Sequence, residues 1–410
     1  MYVPRMAALR ILHVTPYSAE AWAYGGIPRV AHSLTVGLAR QGHHVTVATT
    51  DVCDRSSRLL KNQDADCPRR RAWPPHASDG VDIRVFPNVS NRLAYDWQCF
   101  LPIGFRRFLR EEAGRYDIAH LHACRNVPGA LAAHYLRRAG VPYVLGPNGT
   151  GPNIERRRIA KLAFDRLAGD RVMAGAGRVI AVSRAEQRQL RELGVNNDRI
   201  RVIPNPVDLE EFDPPIATGR FRKRLRLSDE PIVLFLGKLT PRKRVDLLAR
   251  AFVLIGNRRA RLVIAGNDMG AARRARTLVR SLALEKRTHF TGLLRGRERL
   301  EALADASVVV YPSEHEAFGL VPLEALLAGT PVIVADDSGC GEIVASVDGG
   351  HVVNVMTPEP VARAIDDVLA NQAMWRERAV RAARDVRERF GAAAVCSSLA
   401  EVYADVTARA

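Results

Sequence analysis

The most constraining feature of the sequence is an alternation of short apolar runs with helical patterns, which occurs twice along the chain. Apolar runs of this length are typical of strands in a parallel sheet, and the amphipathic stretches between them are typical of connecting helices. The first series has its apolar runs at 10–15, 45–49, 118–121, 143–145, 179–182 and 200–203, and the second at 232–236, 260–264, 288–291, 307–310 and 331–334. The alternation therefore predicts an α/β fold with two doubly wound, Rossmann-like domains.

A proline-rich segment separates the two series. Pro204-Asn-Pro-Val-Asp208 and Asp213-Pro-Pro215 interrupt the pattern and predict a hinge. We predict an N-terminal domain over residues 1–207, a C-terminal domain over 208–390, and a C-terminal helix over 391–410 that could pack back on the N-terminal domain. Ligands of doubly wound sheets bind at the carboxyl ends of the strands, so the two domains are expected to face a central cleft.

Composition limits the class of protein and its partners. No apolar stretch approaches the ~20 residues that a membrane-spanning helix needs, and Met1–Arg10 lacks the apolar segment of a signal peptide. The formal net charge is +17, which favours anionic partners such as nucleic acid, an acidic membrane or phosphorylated ligands. The six cysteines have neither disulfide-framework nor zinc-site spacing, which predicts reduced thiols in a cytoplasmic protein.

A turn in the second series is suited to binding phosphate. The apolar run 232–236 leads into Gly237-Lys238, and Lys243-Arg244 begins the helix that is predicted over about residues 243–255. A glycine turn between a strand and a helix, with cations at the helix start, is a geometry that receives phosphate. Lys238 and Lys243 could each contact a diphosphate, although a solvated basic turn is an equally simple interpretation.

Two carboxylates lie near the start of a later helix of the same series. Glu316 is in the loop before the helix and Glu324 is one to two turns inside it, so both could point toward one strand-end pocket. Gly319 and Leu320 between them offer backbone N–H groups to an anion. A carboxylate can accept hydrogen bonds from ribose or sugar hydroxyls. The alternatives are an ordinary exposed helix residue at Glu324 with a first-turn carboxylate at Glu316, or the acid and nucleophile of a glycosidase.

The Glu316–Glu324 spacing forms an E-x7-E motif whose context resembles the retaining family-4 glycosyltransferases of the GT-B fold. Six further segments resemble the family in the family's order: Gly25-Gly26, 117–122 with its D-x-x-H-x-H pattern, 202–208, 235–243, 265–268 and 289–292. The resemblance covers nearly the whole chain. It implies transfer of a sugar from a nucleoside-diphosphate-sugar to a glycan or lipid-linked acceptor, with retention at the anomeric carbon.

The resemblance also implies roles for individual residues. Lys243 would bind the diphosphate, Glu324 the donor ribose and Glu316 the hydroxyls of the transferred sugar. His122 would lie beside that sugar, with His120 as its packed neighbour, which makes His122, Glu316 and Lys243 the implied catalytic residues. The other implied donor contacts are Gly26, Gly237, Lys238, Asn267, Leu293, Phe318, Gly319 and Leu320. Lys238 stands where the family usually has Arg, and Arg244 where it usually has Gly, which could alter the phosphate geometry.

The reaction so implied needs no metal and no cofactor. A nucleoside diphosphate is already a good leaving group, and Lys238, Lys243 and a helix N-terminus can stabilise its growing charge. No Asp-x-Asp motif of metal-dependent transferases follows a predicted strand. Two other functions remain open: a sugar-nucleotide epimerase of the same fold, and a non-catalytic partner protein that binds nucleotide-sugar. Family frequency favours assembly of cell-envelope or other polysaccharides.

A basic amphipathic segment leaves a membrane contact open. In 103–110, apolar residues alternate with Arg106, Arg107 and Arg110. Such a helix could rest on the anionic inner face of the plasma membrane. The favoured interpretation is a helix that packs on the core with a solvated Arg face. Nucleic-acid binding is not expected, because no DNA- or RNA-reading motif occurs. Residues 51–80 lose the regular pattern and predict a long surface excursion that could take part in acceptor binding.

Overall fold

The computed structural model describes residues 7–59, 80–152, 158–354 and 357–410. Its contacts divide the chain into two compact units. Unit 1 comprises residues up to Pro206 together with Ala392–Ala410, and unit 2 comprises Val207–Gly391. The chain thus returns to unit 1 for its last helix. Much of the excursion predicted for residues 51–80 lies outside the described residues.

Unit 1 is built on a seven-stranded parallel sheet with the order β3-β2-β1-β4-β5-β6-β7. Its strands are β1 (Arg10–Val14), β2 (His44–Thr50), β3 (Val81–Phe86), β4 (Ile118–His122), β5 (Tyr143–Gly146), β6 (Arg178–Ala181) and β7 (Ile200–Val202). The order reverses between β1 and β4. At such a switch point the loops after the strands part and leave room for a ligand.

The helices of unit 1 cover both faces of this sheet. They are α1 (Gly26–Arg40), α2 (Asn91–Trp97), α3 (Phe105–Glu112), α4 (Val127–Arg138), α5 (Arg158–Phe164), α6 (Asp170–Gly175), α7 (Arg184–Glu192) and α16 (Ala392–Ala408). Capping residues mark the first turns of α4 and α7. The Asn126 side chain accepts a hydrogen bond from the N–H of Gly129, and the Ser183 hydroxyl accepts one from the N–H of Glu186. Such caps satisfy N–H groups that have no partner inside the helix.

Helix α16 is anchored to unit 1 by polar contacts as well as by apolar packing. The Tyr403 hydroxyl lies 2.7 Å from Nδ1 of His120, and Arg178 forms an ion pair of 2.6 Å with Asp405. Tyr403 itself is fully buried. The C-terminal helix is therefore part of the core of unit 1.

Unit 2 is built on a six-stranded parallel sheet with the order β10-β9-β8-β11-β12-β13. Its strands are β8 (Ile232–Leu236), β9 (Arg261–Ala265), β10 (Thr288–Gly292), β11 (Val308–Tyr311), β12 (Val332–Ala335) and β13 (Gly350–Val353). Its helices are α8 (Arg220–Arg224), α9 (Val245–Leu254), α10 (Ala272–Ser281), α11 (Gly296–Asp305), α12 (Leu320–Leu327), α13 (Gly339–Ser346), α14 (Pro358–Ala370) and α15 (Gln372–Phe390). Here the order reverses between β8 and β11.

The predicted fold class, with two doubly wound parallel sheets, is confirmed. Two strands were not predicted, β3 and β13, because neither is a continuous apolar run. The helix after the basic turn begins at Val245 rather than at Lys243, which lies in a preceding 3-10 turn. Arg244 between them has φ +50°, a left-handed conformation that interrupts the helix.

Helix α3 belongs to the core of unit 1, which is the favoured of its two interpretations. Phe105 and Leu109 are buried, and the ring of Phe105 packs edge-on to that of Phe86 at 5.0 Å. Arg106 and Arg110 are exposed on the opposite side. The helix therefore keeps its apolar face for the protein interior.

Candidate active site

The loops after β8 and β9 lie side by side, and the absence of a side chain at Gly266 allows this close approach. A Cβ atom on Gly266 would lie 1.7 Å from the carbonyl oxygen of Gly237, so no other residue fits there without moving the backbone. The N–H of Leu239 donates to the carbonyl of Asn267 at 2.9 Å. Two predicted donor contacts, Gly237 and Asn267, are thereby brought together, with Lys238 half-buried beside them.

Lys243, which is buried, forms an ion pair with the partly buried Glu316 at the carboxyl ends of the strands. Nζ of Lys243 donates to Glu316 and to the hydroxyl of Tyr311, the last residue of β11. Ser313 donates to the same Glu316 oxygen at 2.8 Å. Lys243 is 4% exposed, and Nζ lies 4.4 Å from the centroid of the Tyr311 ring. Two residues that the sequence predicted separately therefore form one network.

Electrostatics keep this ion pair charged. Burial lowers the pKa of Lys243, and the neighbouring Glu316 opposes that shift. Burial by itself would raise the pKa of Glu316, but the charges of Lys243 and Arg242, with hydrogen bonds, outweigh it and bring that pKa to about 2. Burial raises the pKa of Tyr311 well above its usual value, so its hydroxyl stays neutral. A glycosidase acid needs a raised pKa, and Glu316 has the opposite shift.

The loop that carries Glu316 is fixed on its other side by the start of α13. The carbonyl of Glu316 accepts from the Cys340 N–H and from the Ser338 hydroxyl, both at 3.0 Å. Gly319 has φ +85° and precedes Leu320, the first residue of α12. A Cβ atom there would lie 2.6 Å from the Cys340 sulfur. The predicted backbone contacts at Gly319 and Leu320 are thus at a helix N-terminus that is held rigidly.

Arg244, at the position where the sequence resemblance implied glycine, has a left-handed backbone. Glycine adopts this conformation at little cost, whereas other residues are strained in it. The guanidinium pairs with Glu314 and lies 3.3 Å from Asp246. The charge of Arg244 is therefore directed to carboxylates of the protein.

Glu324 has a different cation from Glu316. It is fully buried, and its carboxylate accepts from Arg299 on α11, whose other terminal nitrogen donates to Glu211. The interpretation of Glu324 as an exposed helix residue is therefore wrong. Each glutamate of the E-x7-E motif therefore pairs with a different basic residue, Glu316 with Lys243 and Glu324 with Arg299.

The remaining predicted contacts fall at strand and helix ends. Gly26 is the first residue of α1, after Gly25 with φ +94°. Leu293 is half-buried directly after β10. Phe318 is buried against Phe390, with ring centroids 5.8 Å apart. Gly26 and Leu293 thus lie at the ends of loops or strands, as predicted for residues near a strand-end pocket.

His122 belongs to a cluster of three buried histidines in unit 1. His13 and His120 are opposite each other in the β1–β4 pairing, and His122 is two residues further along the same face of β4. Nε2 of His122 lies 3.0 Å from Nδ1 of His13, and the rings of His120 and His122 stack at 4.3 Å with an interplanar angle of 7°. With Tyr403 on His120, the cluster lies beneath α16. His13 and Tyr403 were not predicted, because the strand order that joins them is not visible in the sequence.

Burial lowers the pKa of each of these histidines, that of His122 to about 3. The three histidines could in principle hold a metal ion, because one ring nitrogen of each lies within 4.8 Å of the others. No other group of three His, Cys, Asp or Glu side chains among the described residues meets this criterion. Imidazole binds a metal through a lone pair in the plane of its ring, and two parallel stacked rings cannot both direct one at the same ion. The arrangement fits neutral, hydrogen-bonded rings better than a metal centre.

Comparison with known proteins identifies the family of the chain. Residues 24–211 match the family described as Glycosyltransferase Family 4, and residues 218–387 match Glycosyl transferases group 1. The chain is 30% identical to D-inositol 3-phosphate glycosyltransferase of Xylanimonas cellulosilytica, covering 99% of this chain and 98% of that protein. It is also 30% identical to the enzyme of the same name from Nocardiopsis dassonvillei, covering 99% and 96%. The chain therefore belongs to glycosyltransferase family 4, as the sequence predicted.

Solved structures agree on the fold. Anabaena HepE in complex with UDP-glucose has a TM-score of 0.75 at 18% identity, covering 97% of this chain and 100% of that one. Sucrose-phosphate synthase from Thermosynechococcus elongatus has a TM-score of 0.74 at 23% identity, covering 98% and 99%. The GT-B fold is thereby confirmed. In the described part of the chain, none of the helices combines the length and apolar character needed to cross a bilayer.

Proposed function

We propose that this glycosyltransferase moves a sugar from a nucleoside-diphosphate-sugar to a glycan or lipid-linked acceptor, with retention at the anomeric carbon and without a metal ion. The observation that carries the proposal is the Lys243–Glu316 pair between the phosphate turn and the start of α12. UDP-glucose in a structure of similar fold makes a UDP-sugar the first donor to test. The relatives named for D-inositol 3-phosphate make that compound the first small acceptor.

The proposed chemistry follows from where charge develops. As the sugar leaves, negative charge grows on the departing phosphate, and fixed cations and N–H groups lower the barrier most where that charge appears. Lys243 and Lys238 supply the cations, and the first N–H groups of α12 supply the helix dipole. Glu316 would accept the hydroxyls of the transferred sugar. In the structure, Nε2 of His122 is hydrogen-bonded to His13. For His122 to act on the sugar, a substrate hydroxyl would have to replace His13 as the partner of that nitrogen.

Nucleotide binding gives the first test. We expect one of UDP, GDP, ADP and dTDP to raise the unfolding temperature, with the shift unchanged in EDTA. A ligand at ~100 times its dissociation constant stabilises the folded state by ~2.7 kcal/mol. With the matching sugar nucleotide and an acceptor, proton NMR of the first product should then show the donor's anomeric configuration. Absence of any shift with all four nucleotides would contradict the donor site, and an inverted product would contradict retention.

A non-catalytic nucleotide-sugar-binding protein is the second candidate. The Arg244 side chain and the Lys238 substitution lie at the phosphate turn and are the observations that favour it. The two functions differ in turnover. A protein of this second kind would show the thermal shift but release no nucleotide from any sugar nucleotide, with or without acceptor.

A lipid-linked acceptor would require contact with a bilayer, and we propose a surface for it that differs from the face of α3. Val89, Leu93, Trp97 and Ile103 are 41–60% exposed. Hydrogen bonds from Val89 N–H to the Leu101 carbonyl and from Ile103 N–H to the Pro87 carbonyl join the two ends of this segment around α2. We call these four residues the 89–103 patch.

The occupant proposed for the 89–103 patch is an anionic bilayer. Exposed Arg92, Arg106 and Arg110 lie in α2 and α3, close to the patch in the sequence, and anionic lipid attracts such charges while tryptophan inserts at the headgroup level. We expect the protein to sediment with vesicles containing 30% phosphatidylglycerol and not with pure phosphatidylcholine.

The variants for this test exchange one exposed apolar side chain at a time. Trp97→Ala should lower the bound fraction several-fold, because it removes the largest exposed apolar side chain of the patch. Leu254→Ala, an exposed apolar residue of unit 2, is the control and should bind like the wild type. Equal binding by both variants, or binding to neutral vesicles, would contradict this surface.

A further inference from the structure

The buried Arg299 has so far been described only as the partner of Glu324. It lies on α11, is 4% exposed, and holds two carboxylates, those of Glu324 and Glu211, with its two terminal nitrogens. Glu324 is fully buried and Glu211 is about a quarter exposed. Burying three charged groups is costly, and apolar replacements of such clusters are often neutral or stabilising. The cluster therefore calls for an explanation other than stability.

We propose that Arg299 is a positioning residue for ribose recognition, which orients the Glu324 carboxylate, and that Glu211 holds Arg299 in place. This inference rests on the proposed function, in which Glu324 accepts the hydroxyls of the donor ribose. It adds that Arg299 and Glu211, two residues outside the E-x7-E motif, determine how well Glu324 accepts hydrogen bonds from the ribose.

Charge is the first part of the argument. A carboxylate shielded from water is expensive to keep ionised unless a cation lies beside it. An ionised carboxylate only accepts hydrogen bonds, which is what two neighbouring hydroxyl donors require. Arg299 supplies the cation from inside the protein. Because Glu211 adds a second negative charge, the cluster has a net charge of −1.

Geometry is the second part. A guanidinium is a planar fork whose nitrogens point in fixed directions, so contact with Glu211 at one terminal nitrogen fixes the direction in which the other meets Glu324. The helix that carries Arg299 is itself held at its end, where Asp305 accepts from the N–H groups of Gly219 and Arg222. Glu211 lies in the 3-10 turn Glu210–Phe212. The orientation of the Glu324 carboxylate thus depends on three elements: its own helix α12, helix α11 with Arg299, and the 3-10 turn with Glu211.

The test measures the preference for ribose over deoxyribose. The probes are the nucleotide that stabilises the wild type, UDP first, and its 2′-deoxy and 3′-deoxy forms, with dissociation constants from calorimetry. We expect the wild type to lose at least about tenfold in affinity with either deoxy form, since a buried polar group is left unpaired. In Arg299→Lys we expect that ratio to fall to about twofold or less, because an ammonium cannot bridge both carboxylates in a fixed plane.

Two further variants separate positioning from folding. Glu211→Gln keeps Arg299 beside Glu324 and leaves no buried charge unpaired, so it should fold even if Arg299→Lys does not, with a ribose preference reduced several-fold. Arg224→Met removes an arginine that pairs with Glu301 on the same helix α11, and it should keep the full preference. In turnover, Glu211→Gln should raise the KM for donor and leave kcat near the wild-type value.

The outcomes are distinguishable. A preference that falls in Arg299→Lys and Glu211→Gln but not in Arg224→Met supports the inference. Wild-type preference in a folded Arg299→Lys or in Glu211→Gln overturns it, because Arg299 would then have a structural role alone. Equal binding of ribose and deoxyribose forms by the wild type also overturns it and leaves the nucleotide site standing. Failure of the wild type to bind any nucleotide overturns the proposed function itself.

Discussion

Replacing Lys243 with methionine is expected to lower kcat by a factor on the order of 10²–10³, the usual effect of removing one group that stabilises transition-state charge. The same change removes a cation from the proposed diphosphate site, so nucleotide affinity should fall as well. It also leaves the Glu316 carboxylate, whose side chain is 18% exposed, without its partner, which should lower the free energy of unfolding by about 3 kcal/mol, the low end of the range for breaking a buried pair. Initial rates of nucleotide release and urea unfolding measure the two effects separately.

The control for this variant is Lys223→Met, which removes an exposed lysine of α8 in the same unit. It should keep wild-type rates and stability. The double variant Lys243→Met, Glu316→Gln removes both charges and should recover much of the lost stability without recovering activity. Near-wild-type turnover in Lys243→Met would contradict the donor site. Recovered turnover in the double variant would mean that the single variant had lost activity through misfolding.

The fold was predictable from sequence to the extent that strands are buried on both faces. β8 and β11 are uninterrupted apolar runs, and all of their residues are buried in the structure. A buried parallel strand has to be apolar on both sides, so its pattern is distinctive. β3 was missed because it lies at the edge of the sheet, where Asp82 and Arg84 face solvent.

The candidate site was predictable as a set of residues but not as a set of contacts. Spacing and resemblance gave Lys243, Glu316 and Glu324, yet the sequence does not tell which cation meets which carboxylate. In the structure Arg299 pairs with Glu324 and Lys243 pairs with Glu316. Pairing depends on how loops from distant parts of the chain meet, and that is settled only in three dimensions.

Some missed residues did leave a signal in the sequence. Arg299 occupies the helical face that also carries Ala302 and Leu303, both fully buried. A charged residue on an apolar helix face needs a buried partner. His13 likewise interrupts the apolar strand β1. In both cases a polar side chain at an apolar position marked a contact whose partner only the structure identifies.

The three-histidine cluster predicts that unit 1 is sensitive to mild acid. Because burial holds the pKa of His13, His120 and His122 below the unfolded value of about 6.5, the unfolded chain binds more protons between those limits. Their stabilising contribution is therefore complete above about pH 6.5 and is lost as the pH falls toward the folded-state values. At pH 5 the expected loss is about 2 kcal/mol for each histidine and ~6 kcal/mol for the three together. That is a large part of the ~5–15 kcal/mol that stabilises a typical domain.

Urea unfolding between pH 7.5 and pH 5 measures this loss, and hydrogen exchange locates it, with β1 and β4 expected to lose protection before β8 and β11. His13→Leu removes one titrating group and should reduce the pH dependence by about one third. His44→Gln, an exposed histidine at the start of β2, is the matched control and should leave the dependence unchanged. A wild-type protein that keeps its pH 7.5 stability at pH 5, or a dependence that His13→Leu does not reduce, would mean that these histidines are not held neutral by the fold. An acid-induced loss that begins in β8 and β11 would place the sensitive group in unit 2, where burial also lowers the pKa of His289.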